Sequence, residues 1–389
     1  MSEQLFSPHR YQINKWSTIA LQQGHPWVFR GNLSSASKIF SSGQQLSLLD
    51  GQNQFRGFGI YDAEGLIGIR VYSYESDQPI SQEFLSKRVL KAYQKRLELG
   101  LRTNAFRVIH GEADRLPGVT LDLYNRHGVL QLYTTSLIPW LNDLAAAIQE
   151  TLPIDSLRLR VPRRLQGTPY QNQMLFGENP DEVEIKENED RFLVPLAGGQ
   201  KGGMFLDLRP VRDLIRDEIR GKRMLNLFSY TCSASVVAKN VGFSETVNLD
   251  LDEKGLAVGQ RMLGEGHQFI KADLFDGIPA EVSPPFDFIL IDPPSLGSQK
   301  QQLPVFKHAL EKLVTQAIPL LSTHGTFILC SCTKNITKKI LENLVKEVAA
   351  KSKIKLSANG GIPPAEDHPI LSVFPEGIYW SGVRFQRTK

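Results

Sequence analysis

The feature that most constrains this chain is a change of pattern at about Gly199, after which short apolar runs alternate with segments of helical length. Strands that alternate with helices predict a doubly wound α/β sheet whose strands are mostly parallel. Ligands of such sheets bind at the carboxyl ends of the strands, so functional residues are expected there. The apolar runs are Met224 to Leu227, Thr246 to Leu249, Phe288 to Ile291 and Thr326 to Cys330.

Two regions of different texture precede this sheet. Up to about residue 75, short alternating runs such as Phe55 to Ile60 lie between glycine-rich turns, which predicts a small β-barrel or sandwich. This module is either a stabilising domain or an RNA-docking barrel, and the pattern favours neither. An amphipathic helix from Ser81 to Gly100, three strand-like runs and a second helix follow, and they predict a central α+β domain. We therefore predict domains at residues 1–75, 76–182 and 183–389.

Composition limits the classes of protein to which the chain can belong. Of its 389 residues, 41% are hydrophobic and 22% are charged, as in ordinary folded domains and unlike disordered chains. Three cysteines without a C-x-x-C spacing predict neither a disulfide framework nor a zinc site, and we expect no metal. No apolar run approaches the roughly 18 residues that a membrane span needs. We expect a cytoplasmic protein with no membrane partner.

Acidic residues follow three successive strands of the predicted sheet. Asp250 ends the second strand, Asp273 follows the third, and Asp292 begins an Asp-Pro-Pro turn after the fourth. An acid about 20 residues beyond the first turn suits the two hydroxyls of a ribose, although Asp250 or Asp252 could instead cap the next helix. The dinucleotide and phosphate-loop glycine motifs are absent from the sequence,. Acidic strand ends therefore predict an adenosyl ligand without phosphates, S-adenosylmethionine.

Several motifs, taken in order, resemble those of one known family. The segments GQKGGMFLDLRPVR (199–212), LNLFSYT (225–231), DPPS (292–295) and SCT (331–333) resemble the large ribosomal subunit RNA cytosine-5 methyltransferase I family. GHPWVFRGNL (24–33) is similar to the family's N-terminal PUA domain and HGEADRLPGVTLDLY (110–124) to its central domain. The resemblance implies an α/β fold with a C-terminal Rossmann-like methyltransferase domain, preceded by a PUA-like β-barrel and a central α+β domain.

The resemblance also implies a role for each matching residue. Cys332 would be the catalytic cysteine. Asp292 would be a second catalytic residue that holds the target base, and it would also contact the cofactor. Asp250 would bind the ribose of S-adenosylmethionine and Asp273 its adenine. The other cofactor-binding positions are Lys201, Phe205, Asp207 and Arg209 in a segment that packs over the cofactor, and Asn226, Phe228, Tyr230 and Thr231 in its binding loop.

The implied activity is methylation of carbon 5 of a cytosine in large-subunit (23S) ribosomal RNA. A thiolate that adds to carbon 6 makes carbon 5 nucleophilic, so the pKa of Cys332, which lies near Lys334, is expected to be lowered. Large-subunit ribosomal RNA is the expected partner, and the resemblance makes a homodimer reasonable. Phosphate contacts are expected from two basic clusters, Lys87, Arg88, Lys91, Lys95 and Arg96, and Arg158, Arg160, Arg163 and Arg164.

Two alternative functions remain open at this point. Asp-Pro-Pro motifs also serve amino groups, so the chain could methylate a base nitrogen, a reaction that needs no thiolate. It could also be an RNA-binding assembly factor without catalysis, because Cys232 and Ser233 replace two glycines of the family's cofactor loop. Binding of S-adenosylmethionine separates this second alternative from both enzymes.

Overall fold

The computed structural model describes residues 7–162, 165, 171–178, 180–196, 203–295 and 303–388. The chain forms two compact units. The first comprises residues 1–185, 196–203 and 366–377, and the second comprises residues 186–195, 204–365 and 378–389. The division into three domains stays a prediction. Within the described ranges, every helix is too short or too polar to cross a membrane.

The first unit contains two five-stranded sheets, with strand orders β1-β3-β4-β5-β2 and β10-β9-β8-β7-β6. Its strands are β1 (His9–Gln12), β2 (Trp27–Phe29), β3 (Gln45–Leu49), β4 (Phe55–Tyr61), β5 (Ile67–Ser73), β6 (Ala105–His110), β7 (Val119–Tyr124), β8 (His127–Leu132), β9 (Ser156–Arg160) and β10 (Gln173–Phe176). Its helices are α1 (Lys15–Gln22), α2 (Gln82–Glu98) and α3 (Leu141–Thr151).

Helix α2 illustrates why these residues form this element. The Ser81 side chain accepts a hydrogen bond from the Phe84 backbone N–H, which satisfies one of the unpaired donors of the first turn. Phe84, Leu85 and Val89 of its apolar face are buried in a core that β4 and β5 also enter, through Ile60 and Tyr72. The sequence-based prediction of a helix here is confirmed.

The second unit is built on a seven-stranded sheet with strand order β15-β14-β13-β16-β17-β19-β18. Its strands are β13 (Arg223–Leu227), β14 (Glu245–Asp250), β15 (Gln268–Lys271), β16 (Phe286–Ile291), β17 (Leu321–Ser331), β18 (Leu356–Ile362) and β19 (Ser381–Arg387). Its helices are α4 (Arg209–Asp217), α5 (Ser233–Asn240), α6 (Glu253–Leu263), α7 (Leu303–Ala317) and α8 (Lys338–Lys351). A separate two-stranded sheet pairs β11 (Glu182–Glu187) with β12 (Asp190–Pro195).

The order of the strands determines where this sheet can bind a ligand. Strands β13 to β17 pair in parallel. Strand β19 pairs antiparallel to β17, and β18 pairs antiparallel to β19 at the end of the sheet. The chain runs outward from β13 through β14 to β15 and then crosses to β16 on the other side of β13. Ligands of such sheets bind at this reversal, beyond the carboxyl ends of β13 and β16. The predicted α/β class and the four predicted apolar strands are confirmed.

Candidate active site

The carboxyl edge of the parallel strands brings together the residues on which the predicted chemistry depends. Asp250 is the last residue of β14, Asp292 follows β16, and Cys332 follows β17. The loop from Phe228 to Cys232 leaves β13 at the same edge, between its neighbours β14 and β16. All of these residues belong to the second unit.

The loop after β13 has an unusual backbone. Phe228, Tyr230 and Cys232 have φ values of 61°, 45° and 61°, in the left-handed region that residues with a side chain seldom adopt. Conformations of this kind cost about 1–3 kcal/mol each and concentrate at functional sites. A hydrogen bond to the neighbouring strand β14 holds the loop in place: the Ser229 N–H donates to the Leu249 carbonyl at 2.9 Å.

Asp250 is the second anchor of this loop. Its buried carboxylate accepts the Tyr230 N–H at 2.9 Å and the Asp252 N–H at 2.8 Å. The neighbouring acid has a different task, because the Asp252 side chain accepts the Gly255 N–H at 3.1 Å and caps α6. The structure thus assigns the helix cap to Asp252 and places Asp250 at the strand end, where a ligand would bind.

Cys232, which stands where the family has a glycine, fits the loop because its neighbour is small. A Cβ added at Gly259 of α6 would lie 2.4 Å from the Cys232 Sγ, closer than any real contact. Burial raises the pKa of the Cys232 thiol to about 12. The Cys232 side chain therefore faces α6 as a neutral thiol, and the helix accommodates it through a glycine.

Aromatic rings flank the loop on two sides. The Phe205 ring meets the Tyr230 ring edge-on at 5.4 Å between centroids, and the Phe228 ring lies 5.3 Å from the Phe275 ring. Phe205 is 43% exposed, so a large apolar surface remains open at this edge. Sequence reasoning did not identify Phe275. The signal that could have found it is its position two residues after Asp273. The Asp273 side chain is exposed and accepts the Phe275 N–H at 3.0 Å.

The Cys332 thiol lies beside the Asp-Pro-Pro turn, with its Sγ 3.9 Å from the Pro293 carbonyl oxygen. The expectation of a lowered pKa is wrong. Burial and the negative charges of Asp292 and Asp207 raise the pKa of Cys332 to about 12. Backbone hydrogen bonds at Ser295 and Cys332 lower the pKa in part but do not offset this effect. The other candidate thiol, Cys330, is fully buried within β17.

The remaining predicted cofactor residues divide into three groups. Asp207 lies near the edge and accepts a hydrogen bond from the Tyr379 hydroxyl at 3.2 Å, a partner that sequence reasoning missed. Arg209 and Asn226 are buried, and donate to Glu187 at 3.1 Å and to the Ser235 hydroxyl at 2.9 Å. Thr231 is also buried, in the loop itself. Lys201 lies outside the described residues.

The structure places the members of the two basic clusters in different environments. Arg96 is buried, and its guanidinium donates twice to the Asp114 carboxylate, at 2.8 and 2.6 Å, so it is a structural residue. Lys87 pairs with Glu83 at 2.7 Å on the surface of α2. Arg158 and Arg160 lie on the same face of β9 and are partly exposed, as their spacing predicted. Arg163 and Arg164 fall outside the described residues.

The residues at the edge fit S-adenosylmethionine. A carboxylate at the end of β14 suits ribose hydroxyls, which donate hydrogen bonds, and the half-open rings of Phe205 and Phe228 suit an apolar, planar base. Across the described part of the chain, no group of three or more His, Cys, Asp and Glu side chains is arranged to hold a metal ion.

Comparisons with known proteins identify the family of the chain. The sequence model of the S-adenosylmethionine-dependent methyltransferase family matches residues 161–364, and that of the PUA-like domain matches residues 12–74. The protein named ribosomal RNA large subunit methyltransferase I from Tolumonas auensis is 28% identical over 94% of this chain and 96% of its own. Its namesake from Salmonella schwarzengrund is 28% identical over 98% of each chain. The family resemblance drawn from the motifs is confirmed.

Solved structures show the same fold. A protein from Streptococcus mutans, described as an S-adenosylmethionine-dependent methyltransferase, superimposes with a TM-score of 0.80 over 97% of this chain and 100% of its own, at 21% identity. A methyltransferase solved in complex with SAH gives a TM-score of 0.82 over the same shares, also at 21% identity. At such identities the likeness concerns the fold.

Proposed function

This chain belongs to the S-adenosylmethionine-dependent methyltransferase family, and we propose that it methylates carbon 5 of a cytosine in large-subunit ribosomal RNA. The cofactor predicted from the sequence is confirmed by the family. The names of relatives that match almost the whole chain support a ribosomal RNA substrate and, with it, the proposed cytoplasmic location. The homodimer stays a prediction. The observation that carries the proposed position of methylation is a thiol, Cys332, beside the Asp-Pro-Pro turn.

In this proposal the loop and the strand ends hold the cofactor. Asp250 accepts hydrogen bonds from the ribose hydroxyls while it anchors the Tyr230 amide. Asp273 accepts from the adenine amino group, and the rings of Phe205 and Phe228 cover the apolar faces. Asn226 and Arg209 support the site indirectly, because their side chains hydrogen-bond to Ser235 and Glu187 inside the unit. When bound, S-adenosylmethionine supplies an electrophilic methyl group.

The role of Cys332 follows from the chemistry of the pyrimidine ring. Its sulfur donates an electron pair to carbon 6, which forms a carbon–sulfur bond and moves the ring's π electrons toward carbon 5. Carbon 5 then accepts the methyl group with that pair. Loss of the proton from carbon 5 restores the double bond and expels the thiolate, so the enzyme is regenerated. Such a base must leave its helix or be single-stranded to reach the thiol.

The environment of Cys332 adds a requirement to this mechanism. Because the pKa of its thiol is about 12, the free protein carries the neutral thiol at pH 7. The thiol proton must therefore be transferred as the target base binds. Asp292 and Asp207, whose charges act on this thiol, are the proposed acceptors, and Asp292 also contacts the ring nitrogen or amine of the base.

Trapping with 5-fluorocytosine tests the proposal, because fluorine at carbon 5 cannot leave as a proton does. Large-subunit RNA carrying this base should form a complex with the protein that survives denaturation, and the cross-linked peptide should contain Cys332. Cys332→Ala should abolish methylation and keep cofactor binding, whereas the control Cys330→Ala should keep most activity. Methylation by Cys332→Ala within about tenfold of the native rate would exclude thiolate addition by this residue.

The neutral state of the Cys332 thiol favours a second candidate, methylation of a base nitrogen. A nitrogen lone pair accepts a methyl group directly, and an Asp-Pro-Pro turn can hold the amino group through Asp292. Mass spectrometry of nucleosides from RNA of cells with and without the protein separates the candidates. A product methylated on nitrogen, formed equally by Cys332→Ala, would replace the proposed function with this one.

A further inference from the structure

We infer that Arg212 and Glu187 position Phe205 over the cofactor, and thereby set the affinity of the site for S-adenosylmethionine. Neither residue belongs to the predicted cofactor set, and both are buried in the second unit. The inference rests on the proposed function of Phe205 as a cofactor-binding residue. It concerns residues that act through Phe205 and touch no ligand.

The first part of the argument is the pair itself. Glu187 ends β11 and Arg212 lies in α4, and both side chains are buried. The Arg212 guanidinium donates to one Glu187 oxygen at 2.6 Å and to the other at 2.8 Å. Such bidentate contacts specify geometry as well as charge. Arg209 donates to the same carboxylate at 3.1 Å, so Glu187 is held between two arginines.

The second part of the argument concerns the third nitrogen of the Arg212 guanidinium. This nitrogen, Nη1, donates a hydrogen bond to the Phe205 backbone carbonyl at 3.0 Å. Since the guanidinium is planar and two of its nitrogens are already bound to Glu187, the third nitrogen has one direction in which to point. The carbonyl of Phe205, and with it the orientation of the Phe205 backbone, is thereby tied to Glu187.

The third part connects Phe205 to the cofactor loop. The Phe205 ring meets the Tyr230 ring at 5.4 Å, and the Tyr230 N–H donates to the Asp250 carboxylate at 2.9 Å. Glu187 is therefore connected to Asp250 by a series of direct contacts through Arg212, Phe205 and Tyr230. Because Phe205 is 43% exposed, burial holds it less firmly than a core residue, and the hydrogen bond from Arg212 to its carbonyl adds a constraint on its backbone.

A neighbouring arginine provides the matched control. Arg216 lies one turn further along α4 and joins the same network through an ion pair with Glu187 at 4.0 Å. Its hydrogen bonds go to Asp190 at 3.1 and 2.5 Å and to Asp213 at 2.6 Å. Asp190 belongs to β12 and Asp213 to α4, so these hydrogen bonds do not involve Phe205. Arg212→Lys and Arg216→Lys therefore both weaken the network, but only the first releases the Phe205 carbonyl.

Calorimetric titration with S-adenosylhomocysteine on the full-length protein compares the two variants. Arg212→Lys should raise the dissociation constant by about tenfold, and Arg216→Lys should leave it within about twofold, at similar thermal stability. At saturating S-adenosylmethionine, kcat of Arg212→Lys should stay within about threefold while KM for the cofactor rises. Equal effects of the two lysine variants on affinity would overturn the inference.

A double-mutant cycle tests the route of the effect. In the background Phe205→Ala, which weakens binding itself, Arg212→Lys should add less than about twofold, because the ring that it positions is gone. Full additivity would mean that Arg212 acts by another route. If Phe205→Ala leaves affinity unchanged, the proposed role of Phe205 fails as well. If only Arg212→Lys is without effect, this inference alone fails.

A second variant covers the case in which Arg212→Lys does not fold. Glu187→Asp keeps both charges and shortens the carboxylate by one carbon, so it draws Arg212 away from the Phe205 carbonyl. The expected result is the same rise of about tenfold in the dissociation constant. An unchanged value in a folded Glu187→Asp protein would overturn the inference.

Discussion

At the scale of the residue, the reactivity of Cys332 depends on neighbours that are distant in sequence. A thiol in water has a pKa near 8.5, and a cation or a helix N-terminus usually lowers it at catalytic positions. Here burial and two carboxylates, Asp292 and Asp207, raise the pKa to about 12. The same carboxylates are suited to accept the thiol proton once a substrate is bound, so the arrangement keeps the free thiol unreactive.

Alkylation of Cys332 in the free, folded protein tests this environment. Only the thiolate reacts with iodoacetamide, and a pKa of about 12 leaves about one thiolate in ten thousand at pH 8. The rate of modification should therefore rise about tenfold per pH unit from pH 7 to pH 10 without levelling off. Mass spectrometry of the peptide that contains Cys332 measures this rate, and circular dichroism confirms that the fold persists. A rate that reaches a plateau below pH 9 would contradict the raised pKa.

At the scale of the element, two acids that are two residues apart belong to different structures. Asp250 ends β14 and anchors the strained loop through the Tyr230 amide. Asp252 begins α6, where its side chain caps the Gly255 amide. The junction between a strand and a helix thus separates two carboxylates that the sequence pattern leaves equivalent, and the two should respond differently to removal.

Alanine substitutions measure this difference. Asp250→Ala removes the acceptor of two backbone amides and the proposed acceptor of the ribose hydroxyls, so affinity for S-adenosylmethionine should fall by at least about tenfold while the fold persists. Asp252→Ala should lower the free energy of unfolding by about 1 kcal/mol and leave the affinity nearly unchanged. Calorimetric titration and urea denaturation provide the two quantities. The reverse pattern would identify Asp252 as the ligand.

At the scale of the whole molecule, the candidate site lies within one of the two compact units. The described residues that we propose as cofactor-binding, from Phe205 to Asp292, and Cys332 belong to the second unit. The large core with Ile60, Val89 and Leu130 belongs to the first unit. Because a ligand stabilises the state that it binds, its effect should be concentrated in the second unit.

Hydrogen exchange with and without S-adenosylhomocysteine tests this expectation. At a free concentration of one hundred times the dissociation constant, binding contributes about 2.7 kcal/mol to the bound state. Amides of the loop 228–232 and of the turn 250–256 should exchange more slowly, whereas those of β6 to β8 should change little. Protection of β6 to β8 equal to that of the loop would show that the ligand also stabilises the first unit directly.

The sequence by itself determined the order of the elements and the edge at which the site lies. Apolar periodicity and segment length are local properties, so the four strands that end near Leu227, Asp250, Ile291 and Ser331 could be predicted within a few residues. Parallel strands share one carboxyl edge, and this rule alone brings Asp250, Asp292 and Cys332 to the same place.

Only the tertiary structure decided what each residue does at that edge. The pKa of Cys332 depends on Asp207, which lies far from it in the chain, and Arg212 is bound to Glu187, 25 residues away. The same holds for Arg96, whose guanidinium is neutralised by Asp114 in the interior. Charge, burial and hydrogen bonding act through space, and a sequence pattern records only which residues are neighbours along the chain.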